Sequence, residues 1–183
     1  QYPKRFPLSV SVNRGASGID GIISTATGCG DSSYPTTLVC GDVTALHDLN
    51  ALYGLTQDEA SSTNTQPVSS LNRLPLTTVI VNNGGGAIFS FLPISKHGQD
   101  VGFEEFWGTP TKNLSFQQTA AAFGLGYQCA SSYEAFKNAY RSSIVTNGGP
   151  AVVEANVVDK SSNVDIHQQI TSSARRVIDN TLG

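Results

Sequence analysis

Two short strings hold the residues best suited to chemistry: Gly41-Asp42, and Asn82-Asn83 followed by Gly84-Gly85-Gly86. Each stands where an apolar, strand-like run stops, Thr37 to Cys40 before the first and the β-branched Leu76 to Val81 before the second. In open α/β sheets the ligand crevice lies outside the carboxyl ends of the strands, so both strings are expected to face one ligand. Magnesium takes an octahedron of oxygens and ordinarily keeps phosphate among them. The Asp42 carboxylate, the Asn83 amide oxygen and the Gly85 carbonyl, with a pair of diphosphate oxygens, make a sufficient shell. A helix opening near Val43-Thr44 would turn its free N–H groups and positive dipole end toward the same anion, so that an acidic chain could hold a polyanion without Lys or Arg. Each string alone has a plainer reading, Asp42 as a helix N-cap and Asn82 to Gly86 as a glycine turn. The two together favour ligation.

The elements that must position these residues alternate, strand-like then helix-like, from end to end, which predicts an α/β fold: a parallel sheet with helices on both faces. Leu8 to Val12 alternates like a strand, and Ile19, Ile22, Ile23 and Ala26 fall at helical spacing until Gly28. Thr37 to Cys40 is expected as a short buried strand, followed by Ala45, Leu46, Leu49, Leu52 and Tyr53 on one helical face. Residues Gln57 to Arg73, rich in Ser, Thr, Asn and Gln, predict a polar surface insertion. After Leu76 to Val81 the glycine string forces a sharp turn. Phe116, Thr119, Ala120 and Phe123 mark a helix closed by Gly124, Gly126 to Ala130 a strand, and Tyr133, Phe136 and Tyr140 a helix opened by a Ser cap. Ala151 to Val158 gives the last strand, and His167 to Asn180 a terminal amphipathic helix.

Bulk properties narrow the classes. The 183 residues suit a single domain, and 39% apolar residues with eighteen glycines and 14% charged residues describe a folded, glycine-loop-rich chain. A net charge of -3 without a Lys or Arg run argues against a nucleic-acid or anionic-membrane partner. Cys29, Cys40 and Cys129, odd in number and widely spaced, argue against a disulfide framework and a zinc site, and for a reducing intracellular compartment. No apolar run reaches membrane-spanning length, and the start Gln1-Tyr2-Pro3 reads as a piece cut from a longer protein. His47, His97 and His167 lack metal-ligand spacing. The glycines from Gly15 to Gly21 fall as G-x-x-G-x-x-G, which is not the dinucleotide fingerprint. Glu154 reads as a half-buried edge residue or salt-bridge partner before it reads as a general base. The aromatic run Phe103, Phe106, Trp107 suits a pocket lid or ordinary packing equally.

A Gly-Asp pair, an intervening helix and strand, and then Asn-Asn resembles the cofactor motif of thiamine diphosphate enzymes. With Asn13 to Gly21 (NRGASGIDG), Leu46 to Asn50 (LHDLN), Asn82 to Pro93 (NNGGGAIFSFLP) and Gly108-Thr109-Pro110, nearly the whole chain resembles the C-terminal domain of the 2-succinyl-5-enolpyruvyl-6-hydroxy-3-cyclohexene-1-carboxylate synthase family. The resemblance implies a thiamine diphosphate-binding fold in a transferase that joins decarboxylated 2-oxoglutarate to isochorismate in menaquinone or phylloquinone biosynthesis. It implies magnesium, or manganese, on Asp42, Asn83 and Gly85. It places the cofactor against Ser17, Ile19, Gly41, Val43, Thr44 and Ile88, with Ile19 as the apolar wedge that bends it. Arg14 would bind the carboxylate of 2-oxoglutarate, and Ile88, Phe89 and Leu92 would wall the substrate pocket.

No catalytic residue is expected in these 183 residues. The activating glutamate would come from the pyrimidine-binding domain of the same or a neighbouring subunit, in a homodimer or homotetramer, so this stretch alone should not turn over substrate. The resemblance further implies a plastid location in a plant or alga, or the cytoplasm in a bacterium. The separation between the two motif halves exceeds the family's usual one, and the insertion from Gln57 to Arg73 accounts for the excess at little entropic cost. Two rivals stay open: another thiamine diphosphate enzyme, of acetolactate synthase or 2-oxoacid decarboxylase type, lacking Arg14 and the Ile88 to Pro93 wall; and a non-catalytic binding or assembly module of the same fold.

Overall fold

The computed structural model describes residues 9–13, 18–29, 35–55, 76–111, 113–145, 150–157 and 160–182. In chain order the regular elements are α1 (Ile22–Cys29), β1 (Thr36–Gly41), α2 (Asp42–His47), a 3-10 stretch (Leu49–Leu55), β2 (Leu76–Asn82), the two-residue β3 (Gly85–Gly86), 3-10 turns (Ile88–Phe91 and Pro93–Val101), α3 (Phe103–Phe106), β4 (Thr109–Pro110), α4 (Phe116–Ala122), β5 (Gly126–Ala130), α5 (Tyr133–Val145), β6 (Ala151–Asn156) and α6 (Lys160–Leu182). Four of the strands make one parallel sheet in the order β1-β2-β6-β5, and β3 pairs antiparallel with β4 beside it.

Strand alternation sends successive side chains to opposite faces, and the two cores follow from it. Cys40, Ile80 and Val152 point to one face, where Ile23 of α1, Ala45 of α2 and Phe116 and Ala120 of α4 cover them. Val79 and Val153 point to the other and meet Ala139, Phe136 and Tyr140 of α5. β2 and β6 lie in the middle with helices on both sides, which is why both read as nearly continuous apolar runs. The Ser cap expected for α5 is present, Ser132 Oγ accepting from Ala135 N–H at 3.2 Å, and Ser115 Oγ caps α4 in the same way, accepting from Gln118 N–H at 3.2 Å.

Several expectations need correction. Of the strand expected over Leu8 to Val12, Leu8 lies outside the described residues, and Ser9 to Val12 form no strand; Val10 and Val12 are 71% and 67% exposed, and among the described residues neither a partner strand nor a core repays ordering them. Among the described residues β1 lies at the edge of the sheet, with Val39 64% exposed and Cys40 its buried residue. The helix expected through Tyr53 stops at His47 and resumes as 3-10, which leaves Leu46 and Tyr53 exposed. The break has a cause: the Asp48 carboxylate accepts the Ser24 N–H at 2.7 Å and the Ser24 hydroxyl at 2.9 Å, satisfying a free donor in the first turn of α1. β6 ends at Asn156, and α6 begins at Lys160, ahead of His167. Glu154 is no edge residue, since β6 runs between β2 and β5, and it is 8% exposed. The insertion from Gln57 to Arg73, Arg14 and Ser17 lie outside the described residues. None of the described helices is long and apolar enough to cross a membrane.

Candidate metal centre

β1 and β2 pair in register, Gly41 beside Val81, and leave the sheet at the same rim. Asp42 follows directly and opens α2, 3% exposed. Its Oδ1 accepts the Val43 N–H at 3.0 Å, and its Oδ2 accepts the Thr111 hydroxyl at 2.6 Å. Thr111 reaches it because β4 pairs with β3, Gly85 opposite Pro110, which folds the segment after Gly108 back over the rim. Among the described residues no Lys, Arg or His forms an ion pair with Asp42. A carboxylate so buried, without a cation, is costly unless something positive joins it.

The Asn83 side-chain amide comes to this carboxylate from β2. One of its two terminal atoms stands 2.8 Å from the Gly85 carbonyl oxygen and 3.3 Å from Asp42 Oδ1. With the nitrogen in that place, Asn83 donates a hydrogen bond to each oxygen. With the oxygen there, three acceptors converge and only a cation can reconcile them. Neighbouring ligands around an octahedral magnesium ion, each about 2.0–2.1 Å from it, stand about 2.9 Å apart, which matches the 2.8 Å separation and is shorter than the 3.3 Å one. Donor chemistry and spacing therefore fit a small hard cation.

The loop is shaped for this. Asn82 Oδ1 accepts the Gly84 N–H at 2.9 Å, and Gly84 and Gly85 take φ of 84° and 129°, conformations that side-chain-bearing residues rarely adopt. A Cβ at Gly85 would also strike the Thr109 carbonyl oxygen. At Gly41, by contrast, a Cβ would meet nothing within 4 Å among the described residues. Beside it, burial first and the Asp42 and Asp48 carboxylates second push the Cys40 thiol up to about 11.

The remaining predicted residues are placed less closely. Val43 and Thr44 lie half-buried in the first turn of α2, which has only 6 residues and whose Val43 N–H is already taken by Asp42. The expected cradle of helix N–H groups is correspondingly reduced. Ile19 is half-buried in the turn before α1. Ile88, Phe89 and Leu92 follow the loop on 3-10 turns, 73%, 38% and 46% exposed, with Phe89 edge-on to Trp107 at 5.3 Å. A hollow of about 620 Å³, bordered by Ser90, Phe103 and Asp165, contains none of the predicted residues. Thr111 escaped the sequence reading, although it directly follows the quoted Gly108-Thr109-Pro110 string.

No protein-family model matches the chain. Curated proteins do: it is 38% identical over 173 residues to the 2-succinyl-5-enolpyruvyl-6-hydroxy-3-cyclohexene-1-carboxylate synthase of Rubrobacter xylanophilus, covering 94% of this chain and 26% of that protein. The chain matches part of this synthase family. The synthase of Bacillus velezensis is 38% identical over 170 residues, and that of Prosthecochloris aestuarii 41% over 170, covering 92% and 91% of this chain and 26% of each relative. The chain thus spans about a quarter of the length of the synthases it matches. Among solved structures, the thiamine diphosphate-dependent 4-hydroxybenzoylformate decarboxylase of Rhodococcus jostii RHA1 superposes with a TM-score of 0.54 at 20% identity, over 73% of this chain and 22% of its own. Benzoylformate decarboxylase of Polynucleobacter necessarius gives 0.55 at 16%, over 75% and 23%. The chain has the α/β fold of those two decarboxylases.

Proposed function

We propose that the chain is the diphosphate-and-metal-binding domain of a thiamine diphosphate-dependent synthase that joins decarboxylated 2-oxoglutarate to isochorismate. Asp42, Asn83 and the Gly85 carbonyl hold magnesium. Gly41, Val43 and Thr44 lie along the diphosphate, and Ser17, Ile19 and Ile88 touch the rest of the cofactor. Arg14 takes the substrate carboxylate, with Phe89 and Leu92 beside Ile88 on the pocket wall. The single observation that carries the reading is the convergence of the Asn83 side-chain amide on the Gly85 carbonyl and Asp42 carboxylate oxygens, at 2.8 and 3.3 Å, on one rim of the sheet. The substrates are those that the family resemblance implies, and the pyrimidine-binding domain of the same or a neighbouring subunit supplies the activating glutamate.

When bound, thiamine diphosphate provides the electron sink for decarboxylation and carbon–carbon bond formation. This chain's residues anchor and orient. Asp42 contributes the one full negative charge among the metal ligands, held in place by the Val43 N–H and the Thr111 hydroxyl. Gly41 leaves the room a diphosphate needs before α2. The test is calorimetric titration of the complete protein with thiamine diphosphate and magnesium. Asp42→Ala is expected to abolish magnesium-dependent binding, because the remaining protein ligands are neutral and hold too weakly the cation that compensates the diphosphate. Unchanged affinity would refute the ligand assignment.

A further inference from the structure

On the sheet face of α4, next to the candidate metal centre, lies a second polar group that no part of the proposed chemistry uses. Glu154, on the central strand β6, is 8% exposed. Its Oε1 accepts the Asn82 side-chain N–H at 2.6 Å, and its Oε2 accepts the Tyr127 hydroxyl at 2.6 Å. Asn82 is held a second time through its backbone, whose carbonyl accepts the Val157 N–H at 3.0 Å. The other end of the Asn82 amide accepts the Gly84 N–H, the bond that turns the chain into the metal loop. A continuous hydrogen-bonded path therefore runs from Tyr127 on β5 through Glu154 on β6 and Asn82 on β2 to the Gly84-Gly85 backbone.

We propose that Glu154 is a positioning residue for the metal loop: by gripping the Asn82 nitrogen it fixes which way that amide faces, and so presents the Asn82 oxygen to Gly84 and the Gly85 carbonyl to the cation. A buried carboxylate accepts and cannot donate, so it admits only the nitrogen side of Asn82. Charge-assisted bonds of this length are among the stronger ones in a protein, and two of them on one carboxylate leave it little freedom. The burial fits the role. A carboxylate on a central strand is tolerated only when its oxygens are satisfied, and here both are used by neighbours on the same sheet face. The inference rests on the metal reading of Asp42, Asn83 and Gly85.

The test exchanges the two groups. Asn82→Asp sets two carboxylates against each other while keeping an acceptor for Gly84. Adding Glu154→Gln returns a donor to the pair, now from the opposite side, and leaves an oxygen for Tyr127. Manganese(II) is titrated into the complete protein with thiamine diphosphate present, and free ion is counted by electron paramagnetic resonance. Asn82→Asp should weaken manganese binding at least tenfold, and the double variant should recover to within about threefold of the native protein. Should Asn82→Asp fail to fold, Asn82→Ala creates no repulsion; it should cost at least tenfold, and adding Glu154→Ala should take nothing further. A double variant no better than Asn82→Asp, or losses that multiply in the alanine pair, overturns the positioning role. Asp42→Ala, measured alongside, separates the two ideas. If it abolishes binding while the exchange restores nothing, the metal site stands and the role of Glu154 falls; if manganese still binds without the Asp42 carboxylate, both fall.

Discussion

Two glycines at the rim make opposite demands at the residue scale. Gly85 combines a φ of 129° with a Cβ position occupied by the Thr109 carbonyl oxygen, so a methyl group there must move either β3 or β4. Backbone strain of this kind costs on the order of 1–3 kcal/mol before any displacement is added. Gly85→Ala is therefore expected to lower the thermal midpoint by several degrees in circular dichroism melts, and to weaken manganese binding at least tenfold by shifting the carbonyl. Gly41 has a φ of -79° and open space around its missing Cβ. Gly41→Ala should leave the melt within a degree or two, yet weaken thiamine diphosphate binding in calorimetry, because the added methyl fills the room assigned to the diphosphate. A melt lowered as far by Gly41→Ala as by Gly85→Ala would contradict both assignments. The sequence showed that these positions were glycines next to acidic and amide residues. It could not show which of them a neighbouring strand crowds, since that depends on whether another strand passes within reach.

The strand β1 is the most exposed to error at the element scale. Its burial had to come from neighbours that are remote in sequence, and it proves to be an edge, with Val39 exposed and Cys40 buried. That asymmetry has chemical consequences. The Cys40 thiol, pushed up to about 11 from 9.0 by burial and by the Asp42 and Asp48 carboxylates, stays protonated while an unfolded thiol ionises. Below pH 9 both states hold the proton and nothing is lost; between 9 and about 11 the unfolded state alone sheds it, so stability falls as pH rises through that window. The loss is expected to reach roughly 2–3 kcal/mol near pH 11 and to shrink in Cys40→Ser or Cys40→Ala, read from urea titrations at several pH values. On β5, burial and then the bond to Glu154 hold the Tyr127 hydroxyl well above its ordinary range, so it adds alkaline sensitivity of the same sign. A thiol reagent at pH 8 should modify exposed Cys29 and Cys129 in the folded chain and Cys40 only on unfolding.

As a whole molecule, the chain offers apolar surface that its described residues do not cover. Val39 and Val81 sit bare on the sheet face away from α1 and α2, at 64% and 36% exposure. Along α6, Ile166, Ile170, Val177 and Ile178 are 47% to 65% exposed. A parallel sheet is ordinarily covered on both faces, and the relatives are about four times as long as this chain. On the proposed function, the activating glutamate comes from outside these residues. The purified chain, given 2-oxoglutarate, isochorismate, thiamine diphosphate and magnesium, should therefore consume no 2-oxoglutarate, and consumption should appear when the complete protein replaces it. Turnover by the chain alone would place the activating group within it and overturn that division of labour.

The sequence by itself determined the α/β class, strands over Leu76 to Val81, Gly126 to Ala130 and from Ala151 onward, the Ser cap of α5, and the position of the Gly41-Asp42 and Asn82-Asn83 strings at the ends of neighbouring strands. These are carried by periodicity, β-branching and residue chemistry, all of them local. Tertiary structure alone decided that β1 is an edge, that α2 breaks so Asp48 can serve α1, that Thr111 holds Asp42, and that Glu154 is a buried anchor. Each of those facts turns on a partner far away in the chain, and a side chain carries no local mark of which distant group will meet it.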